Sequence, residues 1–354
     1  MTNSYPWVAH YEKGVPATVE VPRKPLQAFV SEAAKRFPNH VAGRMVLKYL
    51  PAGLSISSRI TYGELEAQTD RFAAALQELG VKKGDRVGIM LPNVPQVLIA
   101  YFGILKAGGT VVNINPTYTP NELKHILQDS GATVLVILSG MVDRLQQIRS
   151  QTSVKHVVVT DVSTSLSWPF SKLVAKQTRA SGLMKDVPPA PDVHEFYNLL
   201  RTSPSKPSPV AFDPDDVVLF QYTGGTTGVP KAAMLTHYNL VANVVQMNAW
   251  FTNIEYGREK VLLALPAFHV YGMTVGMLLG VSAGAEIVMV PDPRNTAHII
   301  EVISKEKCSL YPGVPAMYIG LINHPKAKDF DMHSIKACLS GGSALPGEVA
   351  QQFE

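Results

Sequence analysis

A chain of 354 residues with 46% hydrophobic content can bury a sizeable core in more than one subdomain, and a charged fraction of 17% with a net charge of +4 and no basic block argues against nucleic acid as the main partner. Cys308 and Cys338 lie in apolar, strand-like runs without metal-ligand spacing, so both are expected to be buried, reduced thiols in a cytoplasmic protein. Met1 to Pro25 lacks a basic stretch leading into an apolar one, and no run reaches about 18 uninterrupted apolar residues, so neither a signal peptide nor a membrane span is expected.

From Leu26 the pattern alternates between helical and extended periods. Leu26 to Phe37 has helical spacing, and Val41 to Leu50 and Ser57 to Thr61 read as paired strands around Pro51 and Gly53. Thr61 with Glu64 forms a capping box for a helix that runs to Leu79 and is closed by Gly80. Strand, helix, strand and helix then follow over Asp85 to Leu91, Gln96 to Lys106, Thr110 to Ile114 and Thr119 to Asp129, and Val134 to Leu138, Met141 to Arg149 and Val157 to Asp161 repeat the theme. Such alternation predicts a mostly parallel sheet covered on both faces. No Gly-x-Gly-x-x-Gly follows these strands, so a nicotinamide-binding domain has no support.

The segment from Ser163 to Pro209 is rich in Pro and Ser and reads as a linker between a first α/β subdomain, 1–162, and a second, 210–354. Within it, Ser165 to Lys185 holds no acidic residue but carries Lys172, Lys176, Arg179 and Lys185. On a helix opened by Pro169, Phe170, Leu173 and Val174 would share one face and the cations another, with Trp168 at the entry. This pattern resembles an interfacial membrane helix and equally suits a surface helix packing its apolar stripe on the domain.

The chain is organised around Tyr222 to Lys231, which reads Tyr-Thr-Gly-Gly-Thr-Thr-Gly-Val-Pro-Lys. Three glycines and three threonines there can turn backbone N–H groups and hydroxyls toward one polyanion. Val229 and Pro230 separate the lysine from the last glycine, so this is not a Walker A loop. The flanking runs are β-rich, which predicts strand, loop, strand. Beyond it, Thr236 with Asn239 opens a helix to Trp250, Val261 to Leu265 forms a strand, and helices and strands alternate through Gly272 to Leu279, Glu286 to Val290, Thr296 to Lys305, Cys308 to Tyr311, Pro315 to Ile322 and Ile335 to Leu339. A last helix begins near Pro346.

The ten residues from Tyr222, with Met-Leu-Thr-His after them, resemble the signature of the adenylate-forming (AMP-binding) superfamily. Leu91-Pro92-Asn93, Lys106 to Gly109 and Asn113 to Leu123 are similar to its bacterial long-chain fatty acyl-CoA synthetase branch. The resemblance implies the multilayered αβαβα N-terminal part of that fold, two mostly parallel sheets with helices between and outside. It also implies ATP, Mg2+ and CoA, with fatty acid as the acyl substrate and acyl-AMP as the intermediate. In its terms, Thr223, Gly224, Gly225, Thr226, Thr227, Gly228 and Lys231 would hold the ATP phosphates, Lys231 adding charge and Thr223 also reaching Mg2+. His269 would stand beside the acyl carboxylate within Pro266 to Gly272, where Val270, Tyr271 and Gly272 supply no acid for an amino-acid substrate. Gly341, Gly342 and Ser343 would lie along adenine and the start of the acyl chain, with Tyr271, Gly272 and Gly313 on the substrate side.

Gly272, Gly276, Gly280 and Gly284 leave either an acyl tunnel or close helix packing. Family proteins continue beyond the point where this chain stops, so it is expected to be an inactive N-terminal fragment without the small C-terminal domain. An aryl (coumarate-type) CoA ligase and a non-catalytic ATP- or acyl-binding module are the alternatives. A homodimer and a peripheral contact at the inner face of the membrane through 165–185 stay open.

Overall fold

The computed structural model describes residues 5–224 and 230–354. In chain order the strands are β1 (Val41–Tyr49), β2 (Ser55–Thr61), β3 (Arg86–Met90), β4 (Thr110–Asn113), β5 (Val134–Leu138), β6 (His156–Thr160), β7 (Val193–Glu195), β8 (Val217–Thr223), β9 (Lys231–Thr236), β10 (Lys260–Leu263), β11 (Glu286–Met289), β12 (Leu310–Gly313) and β13 (Ala337–Ser340). One sheet has the order β13-β12-β10-β11-β1-β2 and the other β7-β6-β5-β3-β4-β8-β9. Neighbours run parallel except in the β1/β2 and β8/β9 hairpins.

Five layers follow from where the apolar faces go. The helix Pro95–Lys106 is buried on every side through Leu105, as its uniformly apolar sequence requires, and it packs with Tyr62–Glu78 between the sheets. One continuous core joins Leu98 and Phe102 of that central helix to Val87 and Ile89 of one sheet and Met45 and Ile287 of the other. Separate cores cover the outer faces, with Leu123 and Ile126 on one side and Ile299, Ile303 and Tyr318 on the other. Capping boxes at Thr61/Glu64, Thr119/Glu122 and Thr236/Asn239 open three of the helices.

Several expectations need revision. Gly43 of β1 pairs with Ile287 of β11, so the start of the chain completes a sheet whose other parallel strands come from its second half. The boundaries 1–162, 163–209 and 210–354 therefore do not coincide with the sheets, and the expected linker itself supplies β7 and the helices Phe170–Ala180 and Phe196–Thr202. Cys308 is buried, but Cys338 is exposed. It lies on the edge strand β13, beside an apolar groove of about 1020 Å³ lined by Tyr318, Leu321, Ile335, Leu345 and Phe353.

The glycine series is packing and not a tunnel. A Cβ at Gly276 would stand 2.4 Å from Leu263 Cδ1, and one at Gly280 would stand 2.9 Å from Ile287 Cγ1. The wide π-type turn of helix Gly272–Leu278 thus lies directly on β10, and its continuation Leu279–Ser282 lies on β11.

Candidate active site

The β8/β9 hairpin supplies the first part of the site. Thr223 pairs with Lys231 across its mouth, so strand, loop, strand is the arrangement the sequence predicts. Gly225 to Val229, which include the expected phosphate-binding Gly225, Thr226, Thr227 and Gly228, lie outside the described residues. Both sides of the loop stand on the helix Pro120–Ser130. The Tyr222 hydroxyl donates to Asp129 Oδ2 at 2.6 Å, and His125 Nε2 donates to Pro230 O at 3.1 Å. Burial, with the Asp129 carboxylate beside it, raises the Tyr222 pKa well above the usual phenol range, so Tyr222 stays protonated as the donor. Thr223, Gly224 and Lys231 are exposed. Among the described residues no atom lies within 4 Å of a Cβ placed at Gly224.

The second part is the turn after β10, held by polar side chains from the other sheet. Asn93, 3% exposed, donates to the carbonyls of Leu263 (3.0 Å), Leu265 (2.9 Å) and Val290 (3.3 Å) and accepts from Ala267 N (2.8 Å). Gln221 of β8 donates to Phe268 O at 3.1 Å and accepts from Asn113 Nδ2 at 3.0 Å. Buried amides seldom go unpartnered, and these two are committed to fixing Ala267 and Phe268. His269 follows, exposed, and its Nδ1 accepts from Tyr271 N at 3.2 Å, which leaves the proton of the neutral ring on Nε2. Gln221 is two residues before Thr223 and its partner Phe268 is one before His269, so the hairpin mouth and the His269 turn share one tether.

The third part gathers at the ends of β12 and β13. The hydroxyls of Tyr271 and Tyr318 both donate to Leu339 O at 2.7 Å. Burial pushes the Tyr271 phenol up to about 12. Gly341 N donates to Gly313 O at 3.1 Å, and a Cβ at Gly341 would stand 2.8 Å from the Tyr271 ring. Gly342 has φ +82°, a conformation that favours glycine. Tyr271, Gly313, Gly341 and Gly342 are therefore brought together, with Ser343 exposed after them. Gly272, next to Tyr271 in the chain, is tightly packed, since its Cβ position is filled by Pro266 O at 2.3 Å. It is buried where the helix starts against the turn.

All three parts lie at the C-terminal ends of strands, where ligands bind in α/β sheets. A cavity of about 470 Å³ opens at the opposite ends of β3, β4 and β8, beside Lys83, Arg86 and His237, and of the side chains described in the three parts it is lined by Asp129 alone. Sequence reasoning gave no role to Gln221, His125 or Asp129, and it quoted Asn93 and Asn113 only as parts of motifs. The signal of Asn93, Asn113 and Gln221 was present as amides inside or directly after apolar strand runs. Among the described residues no group of three or more His, Cys, Asp or Glu side chains could hold a metal ion.

The family model described as AMP-binding enzyme matches residues 30–354. The chain belongs to the AMP-binding enzyme family. It is 37% identical, over its whole length, to a long-chain-fatty-acid–CoA ligase of Bacillus subtilis, and 28% identical over 82% of its length to a 4-coumarate–CoA ligase of Humulus lupulus. The solved structure of a long-chain-fatty-acid-CoA ligase from Archaeoglobus fulgidus superposes with a TM-score of 0.79 at 26% identity, over 97% of this chain and 62% of that one. The chain spans 61% of the length of the Bacillus relative.

Proposed function

We propose that this AMP-binding chain carries the ATP- and acyl-binding surfaces of a long-chain fatty acid–CoA ligase. The observation that carries the reading is the Gln221 tether, which joins an exposed hydroxyl and cation at the hairpin mouth to an exposed imidazole on the neighbouring turn. The identity to long-chain-fatty-acid–CoA ligases over the full chain supports a fatty acid in preference to an aryl acid.

In this reading a carboxylate oxygen of the fatty acid attacks the α-phosphorus of ATP, the bond to the bridging oxygen breaks, and pyrophosphate leaves. The CoA thiol then attacks the acyl carbon, giving the thioester and AMP. Both partners of the first step are anionic, so alignment and neutralisation are the protein's main tasks. Lys231 supplies a point charge to the phosphates, Thr223 a hydroxyl, and the loop between them its backbone N–H groups. His269 Nε2–H offers a donor to the carboxylate side, while Asn93 and Gln221 keep its turn in place. Gly341, Gly342 and Ser343 border the adenine and the first carbons of the acyl chain, against Tyr271 and Gly313.

Magnesium suits the hairpin mouth, because Thr223 places an oxygen donor at an exposed strand end and phosphate oxygens and water complete the set a hard cation takes. When bound it neutralises phosphate charge. A long-chain acid partitions into membranes, and the basic segment 165–185 supplies a peripheral contact with one.

The test is calorimetric titration with non-hydrolysable acyl-adenylate analogues of increasing chain length. Affinity should strengthen by up to about 0.8 kcal/mol per buried methylene. A maximum at short or aromatic acyl groups would instead assign an aryl-CoA ligase.

A further inference from the structure

Residues 163–187 leave the sheet after β6 and return to it at β7, and they carry an outward face of mixed character. The helix Phe170–Ala180 is fastened to the body by Val174, 6% exposed, with Phe170 and Thr178 half-buried beside it. Leu173 does not share that face, contrary to the expectation from spacing. One residue turns a helix by about 100°, so with Val174 centred on the body Leu173 points outward.

The chain beyond the helix is fastened as well. Lys185 N donates to Ser139 Oγ at 3.0 Å, Ser139 Oγ donates to Asp161 Oδ1 at 2.5 Å, and the Cβ position of Gly140 lies 2.3 Å from Leu183 O. The outer face is thus held in one orientation before any partner arrives.

Along this segment three large apolar side chains are exposed, Trp168 74%, Leu173 54% and Leu183 61%. Lys172 and Lys176 stand exposed beside Leu173. Arg179 pairs with Asp186 at 3.0 Å and Lys185 with Asp143, whereas Lys172 and Lys176 form no ion pair among the described residues. The positive charge of the patch therefore rests on these two lysines.

A nucleic acid would answer the lysines and leave Leu173 and Leu183 in water, and a purely apolar partner would do the reverse. An anionic bilayer surface accepts both, because apolar side chains enter the headgroup boundary while lysine stems lie along it and their ammonium groups meet lipid phosphates. We propose that Trp168, Lys172, Leu173, Lys176 and Leu183 form a preformed docking face for an anionic lipid bilayer. This assigns residues to the membrane contact in the functional reading, yet it stands on surface geometry and charge and does not require ligase activity.

The experiment is sedimentation of the chain with vesicles of phosphatidylcholine alone or mixed with phosphatidylglycerol. The mixed vesicles should carry the chain down, less so as salt rises. Lys172→Glu with Lys176→Glu should lower the partition at least about tenfold, as each lysine near an anionic surface contributes roughly a factor of five. Leu173→Ser with Leu183→Ser should lower it as well. With Trp7 and Trp250 replaced by Phe, Trp168 emission should shift to shorter wavelength on binding.

No sedimentation of the unaltered chain, equal sedimentation of the variants, or unchanged Trp168 emission would each overturn the proposal. Each variant is also titrated with an acyl-adenylate analogue and checked by circular dichroism. A variant that keeps its circular dichroism has lost the surface and not the fold. Failure of the unaltered chain to bind the analogue counts against the ligase reading alone.

Discussion

The two ends of the β8/β9 hairpin are built from similar polar residues put to opposite uses. At its base, His237 is 5% exposed and its Nδ1 accepts from Leu26 N at 3.1 Å; Thr110 donates to Val217 O at 2.8 Å, and Lys83 pairs with Asp216 at 2.7 Å. At its mouth Thr223, Gly224 and Lys231 face solvent. Polar groups satisfied inside the molecule hold the fold, and polar groups displayed at a strand end are available to a ligand. The difference teaches which of them to alter to change stability and which to alter to change binding.

The largest effect should come at the base. His237→Ala leaves the Leu26 N–H unpartnered and removes a buried ring, which should cost about 3 kcal/mol in urea unfolding while analogue binding per folded molecule stays unchanged. The same residue should make stability depend on pH. Burial pushes its pKa down to about 4 from the ordinary 6.5. The unfolded chain therefore takes up a proton that the folded chain refuses, so the contribution is full above pH 6.5 and is lost as the pH falls toward 4. Unfolding curves recorded across that window should show the loss in the unaltered chain and less of it in His237→Gln.

Between base and mouth, Gln221→Leu should cost about 1–3 kcal/mol by orphaning Phe268 O and the Asn113 amide, and should weaken binding of the acyl-adenylate analogue as well. Loss of stability with full binding would break the link between the hairpin and the His269 turn. At the mouth, Lys231→Met should change stability by less than about 0.5 kcal/mol. Its affinity for a non-hydrolysable ATP analogue should fall by about 1.5–3 kcal/mol, the range for a charge-assisted bond. Gly224→Ala is the finest cut. With nothing near its Cβ position among the described residues, melting should not move, and only nucleotide affinity should drop by a small factor.

Much of this was legible because it is local. The capping boxes at Thr61, Thr119 and Thr236 follow from residues three apart, and the strand-loop-strand reading of Tyr222 to Lys231 follows from β-rich flanks. What escaped depends on partners far along the chain. β1 joins β11 across more than 240 residues, and no periodicity specifies that pairing. Cys338 and Cys308 sit in similar apolar runs, but β13 is an edge strand and its exposed residues lie along an open groove. The four glycines before Glu286 have a spacing compatible with a void or with contact, and only the positions of Pro266, Leu263, Ile287 and Phe37 in the folded chain decide for contact. In the site, the motif residues were readable, whereas Gln221 acquires its role from Phe268, which it meets only in the folded chain.

The most direct measurement is hydrogen–deuterium exchange of the chain with and without a long-chain acyl-adenylate analogue. Protection should appear at Thr223 to Lys231, at Phe268 to Tyr271 and at Gly341 to Ser343, with no change at the hairpin base around Val217 and His237. Protection concentrated at the base, beside Lys83 and Arg86, with none at the mouth, would contradict the assignment of the displayed polar groups to the ligand.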